Sequence, residues 1–138
     1  MAQFNRLRPA TVLVVEDDAL VQLELADWLT ELGLGVHTAD NADQAIAILE
    51  AHPEIDRLLT DIRMPGSMDG IRLAHYVAGR WPPVQIIVLS GDLSTKLSEL
   101  PPSSLFVGKP YAPDVLLRAL SVRGPTTSGR PNGRASVN

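Results

Sequence analysis

Thr11-Val12-Leu13-Val14-Val15 runs directly into Glu16-Asp17-Asp18. An apolar run of strand length is closed there by three acids. The same arrangement recurs along the chain. Leu58-Leu59-Thr60 closes on Asp61, Val84-Gln85-Ile86-Ile87-Val88-Leu89 closes on Ser90-Gly91, and Leu105-Phe106-Val107-Gly108 closes on Lys109-Pro110. Helical patterns separate these runs. Strand-length apolar runs alternating with helices predict βαβ units and a parallel sheet. In an open parallel sheet, ligands bind outside the carboxyl ends of the strands. The acids, the serine and the lysine are therefore expected to converge on one spot.

Working outward from the first run, the spacing predicts a strand over 11–16 and a helix over 19–32, with Val21, Leu25, Trp28, Leu29 and Leu32 on one face. Gly33 stands where a C-terminal cap belongs. A short strand, Gly35 to Thr38, comes next. A second helix begins after Asn41, a good N-cap, and presents Ala42, Ala45, Ile46 and Leu49. Strand three is expected over 56–60. Met64-Pro65-Gly66-Ser67-Met68-Asp69-Gly70 reads as a loop. Helix three, 70–81, places Ile71, Ala74, Val77, Ala78 and Trp81 inward, and Pro82-Pro83 stops it. Strand four, 84–89, reads as fully buried. A fourth helix starts near Leu93 and is cut short by Pro101-Pro102. Strand five covers 104–107, and helix five, 113–121, uses Leu116, Leu117 and Leu120. From Gly124 onward the chain is almost devoid of apolar residues and cannot offset its ordering entropy. The expected organisation is an N-terminal extension over 1–9, one domain over 10–122 and a disordered tail over 123–138.

The 138 residues suffice for one domain with a core. The absence of cysteine excludes a disulfide scaffold, a thiolate metal site and a cysteine nucleophile. Net charge is −4; removing Arg123, Arg130 and Arg134 of the tail leaves about −7 on residues 1–122. So acidic a domain is a poor nucleic-acid binder. No apolar stretch reaches bilayer-spanning length, and the start Met-Ala-Gln-Phe-Asn-Arg lacks a signal-peptide pattern, so a cytoplasmic location is expected. His37, His52 and His75 are scattered without metal-ligand spacing and read as surface residues.

A carboxylate cluster, a hydroxyl and a lysine suit a divalent cation and a phosphoryl group. Magnesium takes oxygen ligands and is usually held by one or two carboxylates plus a substrate phosphate. Glu16-Asp17-Asp18 alone would be a solvated turn with an aspartate capping helix one. Asp61 at the end of strand three changes that reading, because a parallel sheet sets the two strand ends side by side. Asp18 is then the cap and takes no part in chemistry.

The paired acids Glu16-Asp17, the run Leu59-Thr60-Asp61-Ile62-Arg63-Met64-Pro65-Gly66, the pair Ser90-Gly91 and Lys109-Pro110 match, in order and spacing, the receiver domain of two-component response regulators. The chain resembles that family over about residues 10–122. The resemblance implies a doubly wound, flavodoxin-like sheet of order 2-1-3-4-5 flanked by five helices. It implies phosphoryl transfer to Asp61 from a phosphohistidine on a sensor histidine kinase or a histidine phosphotransfer protein. Glu16 and Asp17 would form the magnesium site, with Asp17 and Asp61 as direct ligands, Glu16 acting through water and the Arg63 carbonyl adding an oxygen. Lys109 would pair with Asp61 and then with a phosphoryl oxygen, and a cis bond to Pro110 is implied. Ser90 would be the hydroxyl switch, in place of the more frequent threonine. Phe106 would be the aromatic switch, without the hydroxyl of the usual tyrosine. Glu16 in place of an aspartate, and a loop after Asp61 longer by one residue, depart from the commonest pattern.

The resulting expectation is a stand-alone receiver with no attached output domain, not an enzyme beyond its own phosphorylation and dephosphorylation. It would switch a surface for a downstream protein target, without direct contact to nucleic acid or membrane. The alternative output is a phosphorelay intermediate or phosphate sink. Two unrelated classes fit less well. An aspartyl-phosphate phosphatase would want a second aspartate where Arg63 stands, and a flavin-binding module would want a phosphate-cradling loop in place of Glu16-Asp17-Asp18. Arg63 and Asp92 are also expected to face each other across the site and to slow dephosphorylation.

Overall fold

The computed structural model describes residues 10–64, 66, 68–91 and 97–122. Five strands, β1 (Thr11–Val15), β2 (Gly35–Ala39), β3 (Arg57–Asp61), β4 (Gln85–Ser90) and β5 (Leu105–Gly108), form one parallel sheet of order β2-β1-β3-β4-β5. The helices are α1 (Ala19–Glu31), α2 (Ala42–Ala51), α3 (Gly70–Arg80) and α4 (Pro113–Ser121). The expected flavodoxin-like topology is present. The helix count differs: between β4 and β5 the described residues hold a single 3-10 turn, Leu97–Glu99, so four α-helices rather than five are described. Pro101 and Pro102 follow that turn and prevent its extension. The extension 1–9, the tail 123–138, and Leu93 with the start of the expected fourth helix lie outside the described residues.

Each strand alternates between two apolar layers, as a pleated strand must. Leu13, Val15, Leu58, Ile86 and Val88 face Ala45 and Leu49 of α2 and Leu73, Ala74 and Val77 of α3. Val12, Val14, Leu59, Ile87 and Leu89 face Leu25 and Leu29 of α1 and Leu116, Ala119 and Leu120 of α4. The caps are those the sequence names. The Asp18 carboxylate accepts from the N–H groups of Leu20 and Val21, and Asn41 accepts from that of Gln44. Gly33, at φ +90°, turns the chain out of α1 in a conformation that suits glycine. Two expected core residues are outside. Leu32 sits at the C-cap of α1, where the chain has already left the helix, and Leu117 lies on the flank of the buried face of α4 formed by Leu116, Ala119 and Leu120; they are 36% and 42% exposed. Leu73, not expected, is fully buried. Among the described residues no helix is long and apolar enough to cross a membrane.

Arg57 opens β3 and is buried. Its Nε donates to the Leu120 carbonyl at 3.0 Å, and Nη1 lies 3.5 Å from Asp56 Oδ1. The last carbonyls of a helix have no partner within it. Arg57 supplies one for α4 and fastens that helix to the amino end of the sheet. Arg57→Met keeps the apolar stem and orphans that carbonyl; chemical denaturation should show a loss of about 2 kcal/mol. Unchanged stability would mean that water replaces the guanidinium.

Candidate functional site

Strand register builds the site. Val15 of β1 pairs with Thr60 of β3, so the next residues, Glu16 and Asp61, leave the sheet side by side. Asp61 pairs with Leu89 of β4, one residue before Ser90, and Ser90 pairs with Gly108 of β5, one residue before Lys109. Carboxylate oxygens of Glu16, Asp17 and Asp61 all lie within 4.8 Å of one another. Lys109 Nζ stands 3.3 Å from Asp61 Oδ2, and the Lys109–Pro110 bond is cis. Asp61 Oδ1 accepts from the N–H of Ile62 at 2.7 Å.

The three acids differ in environment. Asp17 is exposed, Asp61 is partly buried and Glu16 is buried at the end of β1. Burial raises the Glu16 carboxyl above its ordinary value. The Asp18 N–H, which donates to Glu16 Oε2 at 3.0 Å, opposes that rise, and the Asp61 charge adds to it. Lys109 offsets part of the negative charge. Clustered carboxylates of this kind are hard oxygen donors that gain from a shared cation.

Two positioning residues were not anticipated. Gln22, on α1, donates through Nε2 to the carbonyls of Glu16 and Ala39 at 2.9 and 3.1 Å and lies 3.0 Å from Asp40 Oδ1. It holds the ends of β1 and β2 under the acidic cluster. Gly70, the first residue of α3, donates its N–H to the Ile62 carbonyl at 2.7 Å. A Cβ there would fall inside the Asp61 carbonyl oxygen. Glycine lets α3 start against the backbone of Asp61 itself.

Ser90 is buried at the end of β4, and its carbonyl accepts from the Lys109 N–H at 2.9 Å. Phe106 is half-buried on β5 and packs against the α2–α3 layer. Arg63 is exposed in the loop after β3. Asp92, its expected counterpart, lies outside the described residues. The expectation for the histidines is corrected in part. His75 is exposed and hydrogen-bonds the Glu99 carbonyl, but His37 and His52 come together with their rings 4.3 Å apart.

A family model for the response regulator receiver domain matches residues 12–121. The chain belongs to the receiver domain family. This receiver is 35% identical over 114 residues to the hydrogenase transcriptional regulatory protein HoxA of Cupriavidus necator, a match that covers 80% of this chain and 23% of HoxA. It is 31% identical over 127 residues to the transcriptional regulatory protein TcrA of Mycobacterium tuberculosis, covering 88% of this chain and 49% of TcrA. The chain thus spans half or less of these relatives' length. The crystal structure of response regulator TrrA from Thermotoga maritima, in complex with Mg2+-BeF, superimposes with a TM-score of 0.69 at 26% identity, over 79% of this chain and 94% of that one.

Gly70→Ala should lower stability by about 3 kcal/mol in thermal or chemical denaturation, because the collision is with backbone. Gly79→Ala, in the same helix with nothing near its Cβ, should be neutral or gain up to about 1 kcal/mol. Equal effects at both positions would remove the close approach as the cause. Glu16→Gln should stabilise the protein in EDTA at neutral pH by about 1 kcal/mol. A carboxyl raised in the folded state costs stability once it ionises, so the gain should be full above the raised value and fade below the ordinary carboxylate range. A gain that grows as pH falls would contradict the burial of this charge.

Proposed function

We propose that this receiver accepts a phosphoryl group on Asp61 from the phosphohistidine of a sensor histidine kinase or histidine phosphotransfer protein, and that the phosphorylated state switches a protein-binding surface. The observation that carries the reading is the convergence of three carboxylates with Lys109 at the carboxyl ends of adjacent parallel strands. It catalyses only its own phosphorylation and dephosphorylation.

The donor set fits magnesium: three carboxylates and no imidazole or thiolate within the cluster. Asp17 and Asp61 would hold the ion, with Glu16 through water and the Arg63 carbonyl in support. When bound, magnesium would shield the incoming phosphoryl oxygens from the acids around Asp61. The remaining chemistry belongs to the chain. An Asp61 carboxylate oxygen attacks phosphorus in line with the departing imidazole. A P–O bond forms as the P–N bond breaks, and the electron pair leaves with the imidazole nitrogen. Lys109 gives up part of its hold on Asp61 to meet a phosphoryl oxygen. The Ser90 hydroxyl donates to another oxygen, and Phe106 follows inward by apolar packing alone. The reaction and its output lie in the cytoplasm.

The test uses a small phosphodonor with magnesium, read by intact mass and peptide mapping. The parent should carry one adduct on Asp61. Asp61→Asn and Asp17→Asn should each reduce the yield by at least about a hundredfold, and EDTA should do the same. A full-yield adduct in Asp61→Asn, or normal labelling in EDTA, overturns the assignment. Passage of the group from phospho-Asp61 to a histidine phosphotransfer protein would identify onward transfer as the output.

A further inference from the structure

The amino-terminal edge of the sheet carries a second cluster of donors, unrelated to the acids above. His37 is in the middle of the edge strand β2, on the α2 side. His52 caps the end of α2, and a turn closed by the Ile55 N–H on the His52 carbonyl brings Glu54 back beside it. Asp56, next along, is pinned to the start of β1 through the Thr11 N–H. The three donors converge. His37 Nε2 lies 3.5 Å and His52 Nδ1 lies 3.4 Å from the same oxygen, Glu54 Oε2, and all three ligand atoms fall within 4.8 Å of one another.

We propose that His37, His52 and Glu54 form a binding site for a zinc-class divalent cation, which clamps the edge strand β2 to the turn between α2 and β3. Here two imidazole nitrogens face one oxygen, and the rings are tilted by only 36° at 4.3 Å. Two imidazoles and a carboxylate are a familiar zinc donor set. Zinc bonds nitrogen and oxygen at about 2.0–2.2 Å, so tetrahedral ligand atoms lie roughly 3.3–3.5 Å apart. The two nitrogen-to-oxygen separations already have that value. His37 and His52 are partly accessible and Glu54 is exposed, which leaves an entry path and room for water as the fourth ligand. Imidazole favours zinc, cobalt or nickel over magnesium, so ligand type separates this site from the all-oxygen cluster at the other end of the strands.

The test is calorimetric titration of tag-free protein with zinc chloride in excess magnesium, together with NMR of the histidine rings. The parent should bind one zinc with micromolar affinity. The His37 and His52 ring signals should shift together while those of His75 stay. His37→Ala and His52→Ala should each weaken binding at least about tenfold, Glu54→Gln should weaken it as well, and His75→Ala and Asp17→Asn should leave it unchanged. Zinc should raise the thermal midpoint of the parent and not that of His52→Ala. His52, at a helix end, keeps the test open if His37→Ala fails to fold. Affinity unchanged in His52→Ala, affinity lost in Asp17→Asn, or no binding by the parent at micromolar zinc overturns the site.

Discussion

Parallel pairing of β1 with β3 forces Glu16 and Asp61 to leave the sheet side by side, and everything at the carboxyl end of this molecule answers that constraint. Three acids gather where one is already buried. Burial, with the Asp61 charge adding, disfavours the ionised form of Glu16. The surroundings compensate locally: the Asp18 N–H donates to Glu16, Lys109 faces Asp61, and Gln22 ties the ends of β1 and β2. None of these removes the negative excess. A fold that keeps such an excess at one point, while its apolar layers supply stability elsewhere, is suited to a cation.

The two ends of the sheet do different work. At the carboxyl end, the strands stop on charged or hydroxylic residues, and the helix that follows β3 starts on a glycine because the backbone of Asp61 leaves no space for a side chain. At the amino end, Arg57 satisfies a helix carbonyl, and Asp56 accepts from the Thr11 N–H and faces Arg57. The His37–His52–Glu54 cluster stands out there because it brings two imidazoles to one carboxylate.

The curated relatives differ from this chain at most of the aligned positions and also in extent. HoxA and TcrA carry their matching stretch within longer proteins. The matching stretches cover 80% and 88% of this chain, the part that folds into the doubly wound unit. Phe106 sits half-buried against the apolar layer, where a phenyl ring packs without a polar partner.

The sequence by itself determined the strands that bear the site, because β1, β3, β4 and β5 are short apolar runs, each closed by a polar residue, glycine or turn. It determined the caps at Asp18, Asn41 and Gly33, because capping is local chemistry. It also named Glu16, Asp17, Asp61, Ser90 and Lys109, because strand ends in a parallel sheet have one destination. Tertiary structure decided what depends on neighbours distant in the chain. Periodicity placed Leu117 inward with Leu116 and Leu120, yet only the packed helix shows that it lies on the exposed flank of that face. Burial of Arg57 depends on the far end of α4, and the role of Gly70 depends on how closely α3 meets Asp61. His37 and His52 belong to different elements with no ligand spacing between them. They meet only because β2 is the edge strand and α2 ends beside it, a juxtaposition that side-chain packing fixes and one-dimensional pattern does not.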